Sequence, residues 1–370
     1  MKIGRITKKG FVKAIFLILI VSALATGGGF FIGLPLLGEL EIEFEDFYHP
    51  IPGYDAEFKL KITENSVPMP YSLYNIDLPE GVRMENGMVI IPYETWSNTS
   101  QFEITVSSKM NQGKTKSLFY SPLKYNLTFN DDFDFYNNTK WTVFGDNWPG
   151  APAAVTKENQ FEIRDGALVL KTEKRVYVDQ NITYNYTRDA ISTADSFNQR
   201  LGLFTSRVKM PKDPGVITAF WLWIKYAIAG AGDYMLKLDG PEGKHCFEID
   251  IFEYGPVFSQ TGNAFWFSQH FYWGDGHKYH QNYSNFATTA KPMHEGFNEI
   301  SLLWTNTSTA LYVNGKMVYR LQVSSDNGNA AFMILSLYNG FSPDSWHGMA
   351  EDRYFPYEFL VDFTRVYQVG

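Results

Sequence analysis

Apolar and polar residues alternate with a period of two along much of the chain after residue 38. Glu57–Ile62 and Gln101–Val106 show this alternation, which is typical of strands with one buried face. Turn-forming residues such as Pro50–Gly53 and Asn86-Gly87 separate the runs. Short strands separated by frequent turns predict a small immunoglobulin-like β domain over residues 39–123.

The same pattern continues from residue 124 to residue 370. Phe204–Met210 and Glu299–Trp304 alternate, and Ala310–Val313 runs into Asn314-Gly315, a dipeptide that favours a hairpin turn. The sequence has no amphipathic helix longer than one turn and no internal repeat. A segment of this length with one continuous core predicts an all-β fold, a concanavalin-like β-jelly-roll sandwich of two sheets.

The first 38 residues follow a different pattern. Basic residues precede an uncharged run, Ala14–Leu37, which is long enough to cross a bilayer core of about 30 Å as a helix. Basic residues before this run and acidic residues after it predict a cytoplasmic N-terminus. Residues 1–38 are therefore predicted to be a transmembrane signal-anchor, with the rest of the chain extracellular. A cleaved signal peptide ending at Ala25 is the alternative, and it would give a secreted protein.

Composition and charge narrow the class of partner. The net charge is −8. The chain therefore lacks the excess of basic residues typical of nucleic-acid-binding proteins, and no nucleic acid is expected as a partner. Aromatic residues make up 17% of the chain, and their flat faces suit both strand packing and stacking on sugar rings. The single cysteine, Cys246, excludes an intrachain disulfide and a cysteine metal cluster. N-x-S/T sequons indicate a glycoprotein at Asn98, Asn126, Asn137, Asn181, Asn185, Asn282 and Asn306.

The segment Phe247–Tyr254 carries three carboxylates among strand-forming residues. In a regular strand Glu248 and Asp250 share a face and Glu253 points the other way, but a β-bulge at Ile251-Phe252 would bring Glu253 onto the same face. Carboxylates crowded on one face raise one another's pKa, and glycoside hydrolysis needs one ionised and one protonated carboxyl group. An exposed acidic strand without a catalytic role is the alternative on this pattern alone.

The hexapeptide Glu248–Glu253 (EIDIFE) resembles the signature of glycoside hydrolase family 16, in its bulged laminarinase-like form. The resemblance implies a jelly roll whose concave face holds a substrate cleft, with retaining cleavage of internal β-linkages. It implies that Glu248 is the nucleophile, that Glu253 is the general acid/base and that Asp250 tunes the charge between them. Further matches to the family lie at Phe129–Asp134, Gly202–Pro211, Ala219–Leu222, Gln269–Tyr272, Tyr312–Lys316 and Val361–Gln368.

The resemblance also implies substrate contacts. Trp221 would line the subsite beside the scissile bond and His270 would contact the sugar or its leaving oxygen, while Trp266 and Trp273 are further predicted substrate-binding residues. Departures from the laminarinase pattern include Gly243 and Lys244 in place of a Trp-Pro pair, Leu203 in place of an arginine, and Ser336 in place of an asparagine. These changes affect the prediction of the substrate more than that of the chemistry.

The resemblance implies a calcium ion on the outer face of the fold. Asp362 and the carbonyl group of Gly166 match that site, and the ion would stabilise the structure without taking part in the reaction. No other cofactor is required, because nucleophilic and acid/base carboxyl groups suffice for glycoside hydrolysis.

The predicted function is that of a retaining endo-acting β-glycanase built as a monomer with a polysaccharide substrate. A β-1,3-glucan is the first choice of substrate and a β-galactan the second. A cell-wall transglycosylase would use the same site with a sugar in place of water. A non-catalytic glycan-binding protein is the alternative outside the enzymes, although it would not need both glutamates. The predicted organisation is 1–38 anchor, 39–123 accessory β domain and 124–370 catalytic jelly roll.

Overall fold

A computed structural model describes residues 39–45, 47–64, 66–110, 113–145, 153–155, 162–224, 245–255, 262–273, 279–322, 328–340 and 348–370. The predicted membrane segment Ala14–Leu37 lies outside these residues. Within the described ranges, no helix has the length and apolar character needed to span a bilayer.

The described residues fold almost entirely into strands joined by turns. Strands β1 to β8 are Leu40–Glu45, Ala56–Glu64, Val67–Pro68, Tyr74–Asp77, Arg83–Glu85, Met88–Ile91, Phe102–Ser108 and Thr115–Tyr120. Strands β9 to β18 are Tyr125–Asp131, Thr142–Val143, Ala154–Val155, Glu162–Arg164, Ala167–Glu173, Tyr177–Asp179, Ile182–Tyr184, Thr187–Arg188, Ala190–Ser192 and Gly202–Lys209. Strands β19 to β27 are Val216–Ile224, His245–Tyr254, Ala264–Trp273, Tyr279–Thr288, Asn298–Trp304, Thr309–Val313, Lys316–Leu321, Ala331–Asn339 and Tyr357–Val369. One short helix, α1, spans Tyr93–Asn98, and 3₁₀ turns lie at Tyr71–Leu73 and Asp352–Tyr354.

The described chain divides into two compact units. The first contains the described residues before position 46 together with Phe58–Val89 and Gln101–Tyr120, and the second contains Phe47–Glu57, Ile90–Ser100 and Ser121–Gly370. The last change of unit, at 120/121, falls close to the boundary predicted at 123/124. Two segments of the predicted accessory domain belong instead to the second unit.

The first unit is built from two small sheets. One has the strand order β1-β2-β6-β5 with β3 beside β2, and the other has the order β4-β7-β8. The predicted alternation is present in β2, where Phe58, Leu60 and Ile62 are buried while Lys59 is exposed and Lys61 is half-buried. The apolar face of each strand therefore supplies the core of this unit.

The second unit is a sandwich of two larger sheets. In the described residues one sheet has the order β10-β17-β26-β19-β20-β21-β22, and the other has the order β11-β16-β13-β27-β18-β23-β24-β25, with β12 on β13 and β9 on β27. Large fully buried side chains fill the space between the sheets, among them Trp141, Phe204, Phe220, Phe252, Trp304 and Phe359. The predicted all-β, two-sheet jelly roll is confirmed.

The segment Phe47–Glu57 packs within the second unit against the outer face of the larger sheet. Ile51 is buried in a cluster with Leu203, Leu303 and Tyr312. The Tyr312 hydroxyl donates a hydrogen bond of 2.8 Å to the carbonyl oxygen of His49. Part of this outer face is therefore covered by chain that the sequence pattern assigned to the accessory domain.

Candidate active site

Strand β20 carries the three carboxylates and contains one extra residue relative to its neighbour β19. Phe220 of β19 pairs with Phe252, but the next residue, Trp221, pairs with Asp250. Ile251 is therefore the inserted residue, and the register against β21 slips in the same interval. The β-bulge predicted at Ile251-Phe252 is confirmed.

The bulge determines which way the last carboxylate points. Ile251 and Phe252 are successive residues, yet both are fully buried in the core between the sheets. A regular strand would send one of them to the opposite face. Because both point inward, Glu253 shares a face with Glu248 and Asp250, on the side of the seven-stranded sheet away from the core. We call this side the open face.

Cross-strand pairing arranges the open face into three rows across β19, β20, β21 and β22. Residues that are neighbours on one face of paired strands have Cβ atoms about 5 Å apart. The rows bring the predicted residues Trp221, His270 and Trp266 alongside the three carboxylates. The first row is Trp223, Glu248, His270 and Asn282, the second is Trp221, Asp250, Ser268 and Ser284, and the third is Ala219, Glu253, Trp266 and Phe286.

Burial dominates the electrostatics of the carboxylates. The pKa of Glu253 is raised to about 8, first by burial and then by the charge of Asp250, while the His270 imidazole opposes the shift. Burial also raises the pKa of Glu248, and the nearby charge of Asp250 adds to the effect. The pKa of Asp250 is raised by burial as well. The cluster therefore retains protons at pH values where exposed carboxyl groups have lost them.

His270 approaches the middle carboxylate closely. Its Nε2 lies 3.0 Å from Oδ2 of Asp250, whose side chain is 5% exposed. This oxygen receives no hydrogen bond of good geometry from the described residues, so His270 and Asp250 are in close contact without a well-directed hydrogen bond. His270 thus lies against the carboxylate cluster rather than in the core, and its contact with a sugar stays a prediction.

Trp221 is held in a fixed orientation by its neighbours. The indole Nε1 donates a hydrogen bond of 3.1 Å to Oγ of Ser336 on β26. The rings of Phe144 and Trp223 contact it edge-on, with centroids 5.7 Å and 5.8 Å away. A half-buried indole fixed in this way presents a defined surface next to Asp250, its partner in the register.

Two residues outside the predicted site, Arg188 and Tyr338, extend this contact network. The guanidinium group of Arg188 lies 4.2 Å from the centre of the Tyr338 ring, and Arg188 is only 6% exposed. The Tyr338 hydroxyl shares a hydrogen bond with Ser336, and burial and the charge of Glu248 raise the pKa of this phenol. A chain of contacts therefore leads from Arg188 through Tyr338 and Ser336 to Trp221.

The remaining predicted site residues lie away from the carboxylates or outside the described part. Trp273 ends β21, and its side chain is not among the described ones. Asp362 forms an ion pair of 2.6 Å with Arg207, and Gly166 occupies the turn between β12 and β13 with φ +72°. Among described residues, no group of three or more His, Cys, Asp or Glu side chains could hold a metal. The carboxylate of Asp362 is thus paired with Arg207, and calcium binding here stays a prediction.

The raised pKa of Glu253 predicts how stability depends on pH. In the unfolded chain this carboxyl group has an ordinary pKa near 4.5, whereas in the folded protein its pKa is about 8. The folded state therefore binds more protons in this interval, and the free energy of unfolding is expected to fall as the pH rises from 5 to 8. Thermal melts across this range should show a shallower fall for Glu253→Gln than for the wild type. Parallel curves for the two proteins would contradict the assignment.

A jelly-roll sandwich with two glutamates placed on one face among aromatic rings defines a class of protein, the β-sandwich glycoside hydrolases. The profile described as Glycosyl hydrolases family 16 matches residues 151–354. The chain belongs to this family, and the resemblance noted in the sequence is confirmed.

Comparison with curated proteins gives relatives in one bacterium. The endo-1,3-1,4-beta-glycanases EglC and ExsH of Rhizobium meliloti (strain 1021) are 26% and 24% identical to this chain over 247 and 220 residues. The alignments cover 66% and 57% of this chain but 44% and 40% of the relatives. The chain therefore spans less than half the length of these curated relatives.

Solved structures support the same fold. The endo-beta-1,3-glucanase from Pyrococcus furiosus matches with a TM-score of 0.53, at 22% identity over 66% of this chain and 95% of that chain. The laminarinase catalytic domain from Thermotoga maritima MSB8 matches with a TM-score of 0.52, at 22% identity over 66% of this chain and 98% of that chain. Both likenesses show the fold.

Proposed function

We propose that this chain cleaves internal linkages of a β-1,3-linked or mixed-linkage β-glucan with retention of configuration. The observation that carries the proposal is the bulge in β20, which puts Glu248, Asp250 and Glu253 on one open face beside Trp221 and His270. Membership of glycosyl hydrolase family 16 supports it. The names of the R. meliloti relatives and of the laminarinase structures favour a β-glucan over a β-galactan.

In this proposal the two glutamates act in sequence. The ionised carboxylate of Glu248 attacks the anomeric carbon while the carboxyl group of Glu253 gives its proton to the leaving oxygen. This step forms a glycosyl ester on Glu248. In the second step the carboxylate of Glu253 takes a proton from a water molecule. The water oxygen attacks the anomeric carbon, and the ester bond to Glu248 breaks.

The electrostatics suit this division of roles. A pKa of about 8 keeps Glu253 protonated near neutral pH, as a general acid must be. Glu248 and Asp250 are buried neighbours whose charges repel, so one proton shared between them leaves a single charge on the pair. With that proton on Asp250, Glu248 is the ionised member and serves as the nucleophile. His270, 3.0 Å from Asp250, lies where it can bias this sharing.

The test combines a substrate panel with the stereochemistry of the product. We expect the protein to release oligosaccharides from laminarin and mixed-linkage β-glucan, and to be inactive on agarose and κ-carrageenan. Proton NMR in the first minutes should show the β-anomer of the new reducing end before mutarotation. An α-anomer appearing first would contradict retention, and cleavage of a galactan alone would replace the proposed substrate. Products longer than the starting oligosaccharide would indicate transglycosylation.

We also propose that the first unit is an immunoglobulin-like accessory domain. Its strand orders, β1-β2-β6-β5 and β4-β7-β8, correspond to the A-B-E-D and C-F-G sheets of a constant-type immunoglobulin domain. Pull-down of the Glu248→Gln protein on insoluble β-glucan, with and without this unit, would measure its contribution to binding.

We further propose that the chain is exported and tethered by its N-terminal segment. The uncharged run Ala14–Leu37 and the basic residues before it support this location. Fractionation of expressing cells should place the full chain in the membrane pellet, resistant to alkaline extraction, with the C-terminal part accessible to external protease. Recovery of a shortened chain in the medium would favour cleavage near Ala25.

A further inference from the structure

An aromatic pair lies at the end of the third row, on the edge strand β22. The ring centroids of Trp266 and Phe286 are 3.6 Å apart, with the planes inclined by 32°. Phe286 is 45% exposed although it belongs to a strand of the sandwich. Its chain neighbour Ala287 and the residue Phe265 beside Trp266 point into the core. The pair is therefore not part of the core, and its two rings lie against each other on the open face.

The position of the pair relates it to the carboxylates. Trp266 is the cross-strand partner of Glu253, and Phe286 is the partner of Trp266. Strands in a sheet are about 4.8 Å apart, so Phe286 lies roughly 10 Å from Glu253 in the direction across the sheet. Ser284, in the next row along β22, is exposed beside the pair. Two flat apolar rings and a hydroxyl group therefore lie on the open face near Glu253.

Exposed large apolar side chains usually occur singly on a protein surface and need no explanation. Phe286 differs because it packs against the indole of Trp266, next to the proposed acid/base residue Glu253. A pyranose ring has one face rich in C–H groups and a rim of hydroxyl groups, so it fits a flat aromatic surface flanked by hydrogen-bonding side chains. Ser284, exposed on the same strand and face, can bond such hydroxyl groups.

We propose that Trp266 and Phe286 form a stacking subsite for a sugar ring of the polysaccharide, on the β22 side of the catalytic carboxylates. The subsite rests on the proposed function, because it requires a sugar chain lying across the open face. It sets how many consecutive sugar units the enzyme engages. Long oligosaccharides reach the subsite, and the shortest cleavable ones do not.

The test compares Phe286→Ala with the wild type on short and long laminarin oligosaccharides. We expect KM for the long oligosaccharides to rise about tenfold, equivalent to ~1.4 kcal/mol of binding energy, and KM for the shortest cleaved oligosaccharide to change much less. Phe286→Tyr, which keeps the ring, should restore the wild-type values. Phe135→Ala removes another exposed phenyl ring, 67% exposed and outside the sheets, and should behave as the wild type.

Two results would overturn the subsite. An unchanged KM on long oligosaccharides would show that the ring does not bind sugar. An equal rise on substrates of every length would show that the substitution disturbs Trp266 and Glu253 rather than a remote subsite. Failure of the proposed function is distinguishable, because the wild type itself would then cleave no β-glucan. Isothermal titration of Glu248→Gln, with and without Phe286→Ala, reports on sugar binding independently of cleavage.

Discussion

Glu248→Gln is expected to lower kcat on laminarin by a factor on the order of 10⁴ or more, while the protein stays folded. The amide has nearly the shape of the carboxylate but cannot form the glycosyl ester. Burial and the charge of Asp250 make the ionised form of Glu248 costly in the free protein. The neutral variant is therefore expected to melt at an equal or higher temperature than the wild type near pH 8. Reducing-end assays and thermal melts measure the two effects.

Two comparisons make this result specific. Glu103→Gln makes the same chemical change at an exposed position of β7 and should retain wild-type activity. Glu253→Gln should lower kcat on laminarin 10²–10⁴-fold, a range typical of a lost general acid. The decrease should be smaller on an aryl glycoside, because its leaving group needs no proton. If Glu248→Gln kept a tenth of the wild-type rate, the nucleophile would have to be assigned to another residue.

The carboxylate geometry could be predicted from sequence because the relevant signal is local. Ile251 and Phe252 are consecutive apolar residues between acidic ones, and two adjacent core residues in a strand require a bulge. The alternation in β2 and β7 likewise reflects burial of one face. Trp221 and His270 came from the resemblance, and the register then placed both beside the carboxylates.

Other features depend on which strands become neighbours, and no local pattern encodes this. Arg188 carries a charge, which is typical of surface residues, yet it is buried. Its guanidinium group lies against the ring of Tyr338, a residue far along the chain. Phe286 is a large apolar residue, yet it is exposed on the edge strand β22. Ile51 reads as part of the accessory domain but packs in the second unit. Each case is a long-range contact that overrides the local preference.

The bulge itself predicts opposite outcomes for deletion and insertion at Ile251. Deletion of Ile251 turns β20 into a regular strand in which Glu248, Asp250 and Glu253 still fall on alternate positions and share the open face. Loss of a fully buried side chain should cost about 2–5 kcal/mol of unfolding free energy, but the carboxylates keep their side. We expect a less stable protein that retains measurable activity on laminarin.

Insertion of one alanine between Asp250 and Ile251 adds a second extra residue to the strand. Regular alternation then puts Glu253 six positions after Glu248, still on the open face but two positions further along the strand than in the deletion variant, with Ile251 exposed between Asp250 and Glu253. The two added positions carry Glu253 roughly 7 Å further from Glu248, out of reach of the leaving oxygen, and without a general acid the rate should fall 10²–10⁴-fold. Activity per folded molecule, with folding followed by circular dichroism, compares the two variants. If the insertion prevents folding, the deletion variant still provides a test. It keeps Glu253 on the open face, so its activity per folded molecule must exceed that of Glu253→Gln.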